Sequence, residues 1–220
     1  MIKPSTLTFL KDVAQNNNRE WFAEHKGEYE AARENVLELI QTLIPELAKI
    51  DPMLAADTDP KKSLMRIYRD VRFSNNKDPY KTNFGIWFSA YGKGGNEPGY
   101  YLHLQPGECF LAGGYWMPDA AHLKLIRQEI DYNSHDFFQI IEDKAFAANF
   151  KLSTTNTLKK APKGYEPDDP NIAYLKLKSF EVVKKIPDED LYQPTIVKKV
   201  VSNFKTIYPL VAFLRNAIAK

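Results

Sequence analysis

Apolar residues recur at three- and four-residue intervals over the first fifty positions, a spacing that predicts helices. Leu7, Leu10 and Val13 share one face of a short helix that Ser5 or Thr6 can cap. Asn16, Asn17 and Asn18 break it, and Asn18 can cap a turn carrying Trp21 and Phe22. From about Lys26 a longer helix sets Tyr29, Val36, Ile40, Leu43 and Leu47 in one stripe. Pro45 lacks a backbone donor, so a kink or restart is expected there. Asp51-Pro52 and the stretch from Asp57 to Pro60 read as loop.

The period then shortens to two. Between Ser63 and Phe73, Ile67, Val71 and Phe73 alternate with Arg66, Tyr68, Asp70 and Arg72, which predicts a half-buried strand. Gly85 to Tyr91 and Gly99 to Gln105 read as strands for the same reason. Gln105-Pro106-Gly107-Glu108 has the residues of a type II turn and joins Tyr100–Leu104 to Cys109–Met117 as a hairpin. Gly113-Gly114 inside the second arm points to a bulge or to a close approach of another group. Gly92 to Gly99 reads as a flexible connection.

Helical spacing returns after Pro118-Asp119 with Leu123, Ile126 and Ile130, and again after Asn133-Ser134 with Phe137, Ile140 and Ile141. Lys159 to Pro170 is a proline-rich loop, Ala173 to Lys178 is ambiguous, and Ser179 to Ile186 reads as a strand. From Thr195 onward Val197, Val200, Val201, Phe204, Ile207, Val211 and Leu214 outline a long amphipathic helix, with a kink expected at Pro209. Together these elements predict one α+β domain over residues 1–220, a mainly antiparallel sheet covered by N-terminal and C-terminal helices.

Composition narrows the class without naming a reaction. The hydrophobic fraction is 44% and the charged fraction 26%, values of an ordinary globular chain rather than a disordered one. A single cysteine, Cys109, excludes an intrachain disulfide and reads as a small apolar packing residue. No apolar run approaches the ~18 residues of a membrane helix. The first residues carry no basic flank leading into a long apolar run, so a cytoplasmic location without a membrane partner is expected.

Charge is more informative where it is uneven. The whole chain carries +2, but residues 61–81 hold seven basic and two acidic groups. Such a local excess speaks against a general polyanion binder and fits either a discrete anion site or a structural network of arginine–carboxylate pairs that orders a long loop. Arg69 falls on the apolar side of the predicted strand, so it needs a buried carboxylate or a bulge.

The run RIYRDVRFSNNKDPYKTNF from Arg66 to Phe84 resembles the uncharacterised family known as domain of unknown function 2461, as does NNREWF from Asn17 to Phe22. The resemblance extends through YYLHLQPGECFLAGGYWMP (Tyr100 to Pro118), IRQEI (Ile126 to Ile130) and PKGY (Pro162 to Tyr165). Related chains tend to carry a basic-acidic pair where Asn75-Asn76 stand here. The resemblance implies a single full-length domain and brings no established activity with it.

Three functions fit these residues. The first is binding of a small phosphate- or carboxylate-bearing ligand on a basic, aromatic surface formed by Arg66, Tyr68, Arg69, Arg72, Lys77, Tyr80, Lys81, Tyr101 and Trp116. Arginine forks grip such anions with paired hydrogen bonds, lysines add point charges, and Asp70 would fix an arginine. The second is an enzyme at the same surface, with Asp70 or His103 as general base. The third is a structural or protein-interaction module built on the C-terminal helix. Aromatic residues beside basic ones would also suit nucleic acid, but packing in the sheet is the preferred reading of them. No metal or cofactor is expected: the four histidines are scattered, and neither a phosphate loop nor a nucleophile elbow occurs. Gly92-Lys93-Gly94-Gly95 only imitates a phosphate loop.

Overall fold

In a computed structural model that describes residues 1–90, 92 and 96–219, the chain runs α1 (Pro4–Gln15), α2 (Arg19–Glu24), α3 (Lys26–Ala48), α4 (Pro60–Ser63), β1 (Phe84–Phe88), β2 (Gly99–Leu104) and β3 (Phe110–Tyr115). It continues through α5 (Ala120–Tyr132), α6 (Ser134–Ile141), α7 (Lys144–Asn149), α8 (Ile172–Leu175), β4 (Phe180–Lys185), α9 (Asp188–Leu191) and α10 (Ile196–Ile218). The strands form one antiparallel sheet in the order β1-β2-β3-β4, so the fold is α+β as the periodicities predict. No helix among the described residues is long and apolar enough to cross a membrane. The chain packs as two units of interleaved segments. The first comprises Met1–Lys93, Tyr101–Leu111 and Lys185–Ser202; the second comprises Gly94–Tyr100, Ala112–Lys184 and Asn203–Lys220.

In the first unit α1 lies on α3. Leu7, Leu10 and Val13 are buried, as are Val36, Leu39, Ile40 and Leu43. Each such side chain contributes about 1.5–3 kcal/mol on leaving water. Between these helices the buried Asn35 accepts from the Thr6 hydroxyl at 2.8 Å and from the Lys3 amide at 2.7 Å. Thr6 therefore serves helix packing, and the helix starts instead on Pro4, whose missing N–H costs nothing in a first turn. Asn18 caps α2 as expected, accepting from the Trp21 amide at 2.9 Å. Pro45 causes no restart: it sits in the last turn of an unbroken α3. Phe84, Ile86 and Phe88 of β1 and Leu102 and Leu104 of β2 turn inward.

The predicted strand from Ser63 to Phe73 does not form. Only Leu64 and Tyr68 make ladder bridges, to Ile86 and Tyr80 respectively, with three residues between the bridges on one side and five on the other. That mismatch breaks the pleat, so the alternation seen in the sequence does not become a buried face. Ile67 is buried, Val71 is half-exposed and Phe73 is 95% exposed. Tyr91, at the end of the strand expected from Gly85, lies outside the described residues, as do three of the four positions in the Gly92–Gly95 stretch.

In the second unit Ile126 and Ile130 of α5, Phe137 of α6, and Phe204, Ile207, Leu210, Val211 and Leu214 of α10 are buried with Phe180 and Val182 of β4. Asp119 caps α5 by accepting from the His122 amide at 2.8 Å. α10 runs without interruption through Pro209. The glycine pair in β3 marks close approaches: a Cβ on Gly113 would lie 2.6 Å from Ile207, and one on Gly114 would lie 2.1 Å from the Phe180 carbonyl oxygen. Leu152 bridges Val182, and the Ser153 amide donates to the Glu181 carbonyl oxygen at 2.9 Å.

Glu181 is buried beneath that segment, with one carboxylate oxygen lacking a hydrogen-bond partner. Burial raises its pKa above the ordinary 4.5, opposed by hydrogen bonds from Ser153 and Ser179. The folded state thus holds the proton more tightly than the unfolded chain. The protonated group's contribution is complete below pH 4.5 and falls as pH climbs through the folded value. Glu181→Gln is expected to add about 1 kcal/mol above neutrality by removing a buried charge. Melting curves from pH 4 to 8 check this: the variant's advantage must grow with pH, and a constant offset would mean that Glu181 is not desolvated.

Candidate functional site

The cationic run of residues 61–81 folds in the first unit as an arm lying along the approach to β1. The Arg69 amide donates to the Pro79 carbonyl at 2.9 Å, Lys81 to Ile67 at 2.7 Å, and Met65 to Gly85 at 2.9 Å. A side chain from elsewhere completes the pairing. Asn17 donates from Nδ2 to the Tyr80 carbonyl and accepts from the Tyr80 amide, both at 3.0 Å. One amide thereby does for Tyr80 what a neighbouring strand would do. Phe22 stacks on the Tyr80 ring with centroids 3.9 Å apart, and Tyr68 tilts against both.

Folding sorts the cations by whether they have partners. The Arg69 guanidinium donates to the Asp78 carbonyl at 3.1 Å and to the Ser74 hydroxyl at 3.4 Å, so it ties the loop and needs no buried carboxylate. Arg72 grips Asp70 with both arms of its fork, at 2.9 and 2.7 Å. The bonds from Arg72 hold the Asp70 carboxyl below its ordinary value, which makes it a weak base. Lys77 donates to the Val71 carbonyl at 3.0 Å. Phe73 projects from this loop with the Arg72 guanidinium 5.8 Å above its ring.

Arg66 and Lys81 differ. The side chain of neither makes a hydrogen bond or ion pair with any described residue. Arg66 is exposed, while Lys81 is half-buried and its ammonium is pushed below its usual value, first by burial and then by Arg66 itself. The two charges therefore repel each other, and the Asp70 carboxylate, which feels the charge of Arg66, is already gripped by Arg72. Tyr68, 51% exposed, lies between them in sequence on the same arm. Nothing in the spacing singles out Arg19 and Arg33, yet their charges act on Tyr80 and Tyr29, opposing the rise that burial causes in each phenol.

The sheet that follows the arm presents an aromatic and polar face. Tyr101 donates its hydroxyl proton to His103 Nδ1 at 3.0 Å, and Asn83 reaches the same nitrogen at 3.4 Å. His103 Nε2 lies 3.0 Å from Gln105 Oε1, while Gln105 Nε2 donates to Glu108 at 2.8 Å. A carboxylate only accepts, so Glu108 fixes the Gln105 amide, and the amide oxygen in turn fixes the proton on His103 Nε2. Both imidazole nitrogens are thus engaged. Burial lowers the pKa of His103 and pushes that of Tyr101 up to about 12. His103 is a ring held in orientation at both nitrogens.

Trp116 belongs to the second unit, where it is 69% exposed. The preceding Tyr115 is buried and its hydroxyl lies 2.7 Å from His122 Nδ1 and from two Asn96 oxygens. Met117 takes a positive φ of 49° and donates its amide to Ser179 at 2.9 Å. A cavity in the first unit, lined by Ile44, Leu47, Leu54, Phe88, Asp57 and Lys62 among others, contains none of the candidate catalytic or ligand-binding residues. Among the described residues no cluster of three or more His, Cys, Asp or Glu side chains is arranged to hold a metal ion.

The profile of the family described as "Conserved hypothetical protein (DUF2461)" matches residues 5–213. No curated protein matches the chain, and no solved structure does.

Proposed function

The chain belongs to the DUF2461 family, and on that premise we propose that it binds a small phosphate- or carboxylate-bearing ligand through Arg66 and Lys81. The observation that carries this reading is a pair of cations whose side chains bond to no described residue, the Asp70 carboxylate that acts on Arg66 being taken up by Arg72. Holding like charges together costs free energy, and a bound anion would convert that repulsion into two charge-assisted contacts. Arg69, Arg72 and Lys77, already bonded within their own loop, would order the arm that presents the pair. Tyr68 would flank the ligand. The reading takes the protein to be cytoplasmic, in keeping with its single thiol, Cys109, being buried.

Titration with inorganic phosphate tests it. The wild-type protein is expected to bind with a dissociation constant of roughly a millimolar, equivalent to about −4 kcal/mol. Arg66→Ala and Lys81→Ala should each weaken binding about tenfold or more while leaving the melting temperature nearly unchanged, because neither cation holds the fold together. Arg72→Ala should bind as the wild type does. An equal loss in Arg72→Ala would move the site to the loop, and no saturable binding by the wild type would end the proposal.

A further inference from the structure

We infer that the ligand carries a planar ring as well as its anionic group, the anion on Arg66 and Lys81 and the ring on the aromatic face of the sheet beside them. The inference rests on the anion-binding reading and adds the chemical class of the ligand: an aryl or heterocyclic phosphate or carboxylate.

The face is built by alternation. Phe84, Ile86 and Phe88 point into the core, which turns Asn83, Gly85 and Trp87 outward; Leu102 and Leu104 do the same for Tyr101 and His103 on β2. Trp87, Tyr101, His103 and Phe110 are all left half-buried. Their rings run as a continuous surface, with centroids 6.5 Å apart for Trp87 and Tyr101 and 5.8 Å for Tyr101 and Phe110; His103 stacks on Phe110 at 4.6 Å. Gly85 keeps the surface low, because a Cβ there would stand 2.7 Å from the Tyr101 hydroxyl oxygen and 3.1 Å from the Met65 sulfur.

The backbone that carries the cation pair runs beside this surface, the Met65 amide donating to the Gly85 carbonyl at 2.9 Å. Lys81 is two residues before Asn83, whose amide reaches His103. Arg66 follows Met65, which lies against Gly85 together with Tyr101. The rings are also held in place before any ligand arrives, since Glu108, Gln105, His103 and Tyr101 fix one another in sequence. Little side-chain freedom remains to be lost on binding. Three donors form no hydrogen bond with any described residue: the Arg66 guanidinium, the Lys81 ammonium and the Trp87 indole N–H. Unused donors beside open ring faces are complementary to a flat, acceptor-rich anion. Inorganic phosphate alone would leave the aromatic face uncovered.

Affinities for phenyl phosphate, ethyl phosphate, inorganic phosphate and phenol separate the two readings. Phenyl phosphate is expected to bind about tenfold more tightly than ethyl phosphate, with quenching or a shift of Trp87 emission. In Trp87→Leu, and in Phe110→Leu as an independent variant, that ratio should fall toward one. Equal affinity of the wild type for phenyl and ethyl phosphate overturns the ring inference and leaves the anion site standing. Phenol binding as tightly as phenyl phosphate, with no loss in Arg66→Ala, overturns the anion reading and with it the inference. Failure of all four probes overturns both.

Discussion

Replacing Gly114 by alanine is expected to cost about 4 kcal/mol or more and to leave little folded protein at 37 °C. Gly114 has a φ of 119°, a conformation that side chains strongly disfavour. Its neighbours make the position stricter still. An added Cβ would lie 2.1 Å from the Phe180 carbonyl oxygen, 2.9 Å from the Glu181 Cα and 3.0 Å from the Phe180 carbonyl carbon. All three are backbone atoms of β4, so no side chain can swing aside and the strand itself must move. Backbone strain of about 1–3 kcal/mol then adds to a packing clash of about 1–3 kcal/mol. Against a typical total stability of about 5–15 kcal/mol that is a large share. Gly107→Ala is the control. Gly107 also has a positive φ, 76°, but no atom lies within 4 Å of its would-be Cβ. Urea denaturation of both variants should show about 1 kcal/mol lost at Gly107 and several times more at Gly114. Equal losses would mean that the approach of β4 to Gly114 imposes no constraint.

Asn17→Ala is the second large effect, expected at about 2–3 kcal/mol although the side chain is only half-buried. It removes two 3.0 Å hydrogen bonds and leaves the amide and carbonyl of the buried Tyr80 without them. Stranding buried backbone groups costs more than the net value of the bonds themselves. The damage should be local first. Amide exchange at Tyr80 and Lys81 is expected to speed up well before the helices open, because the arm has few other attachments. Asn17→Asp keeps an acceptor for the Tyr80 amide and loses the donor to its carbonyl, so it should fall between alanine and the wild type. A variant as stable as the wild type, with unchanged exchange at Tyr80, would show that the arm is held by Phe22 stacking alone.

Much of the fold was legible because its periodicities are local. Leu7, Leu10 and Val13 mark α1, the Pro-Gly turn marks the β2–β3 hairpin, and the glycine pair correctly announced a close approach. The arm defeated the same reasoning. Ile67, Val71 and Phe73 alternate with polar residues, yet the mismatched bridges of Leu64 and Tyr68 decide which of them are buried, and register between distant segments leaves no trace in spacing. Partnering is hidden for the same reason. Arg66 and Arg72 look alike in the sequence; only the folded loop gives Arg72 the forked grip on Asp70 and leaves Arg66 outside that pair. Asn17 reads only as a helix breaker, and Trp87 and Phe110 do not stand out, because an asparagine after a helix and aromatics in a strand are common. The sole available signal was the place of Asn17 in the NNREWF stretch.

The short bridges outside the four strands also bear on solubility. β1 and β4 are the outer strands of the sheet, where open backbone groups would invite another chain to add a strand. Each instead receives a segment too irregular to extend the sheet: Leu64 and Met65 along β1, Leu152 and Ser153 along β4. Lys184 and Lys185 lie at the end of β4, and Lys184 is held by Asn149 at 2.8 Å and rests over Phe150. Both margins are thus closed by segments that take up backbone hydrogen bonds without offering a regular edge of their own. A sheet of only four strands is thereby protected against edge-to-edge aggregation without being closed into a barrel.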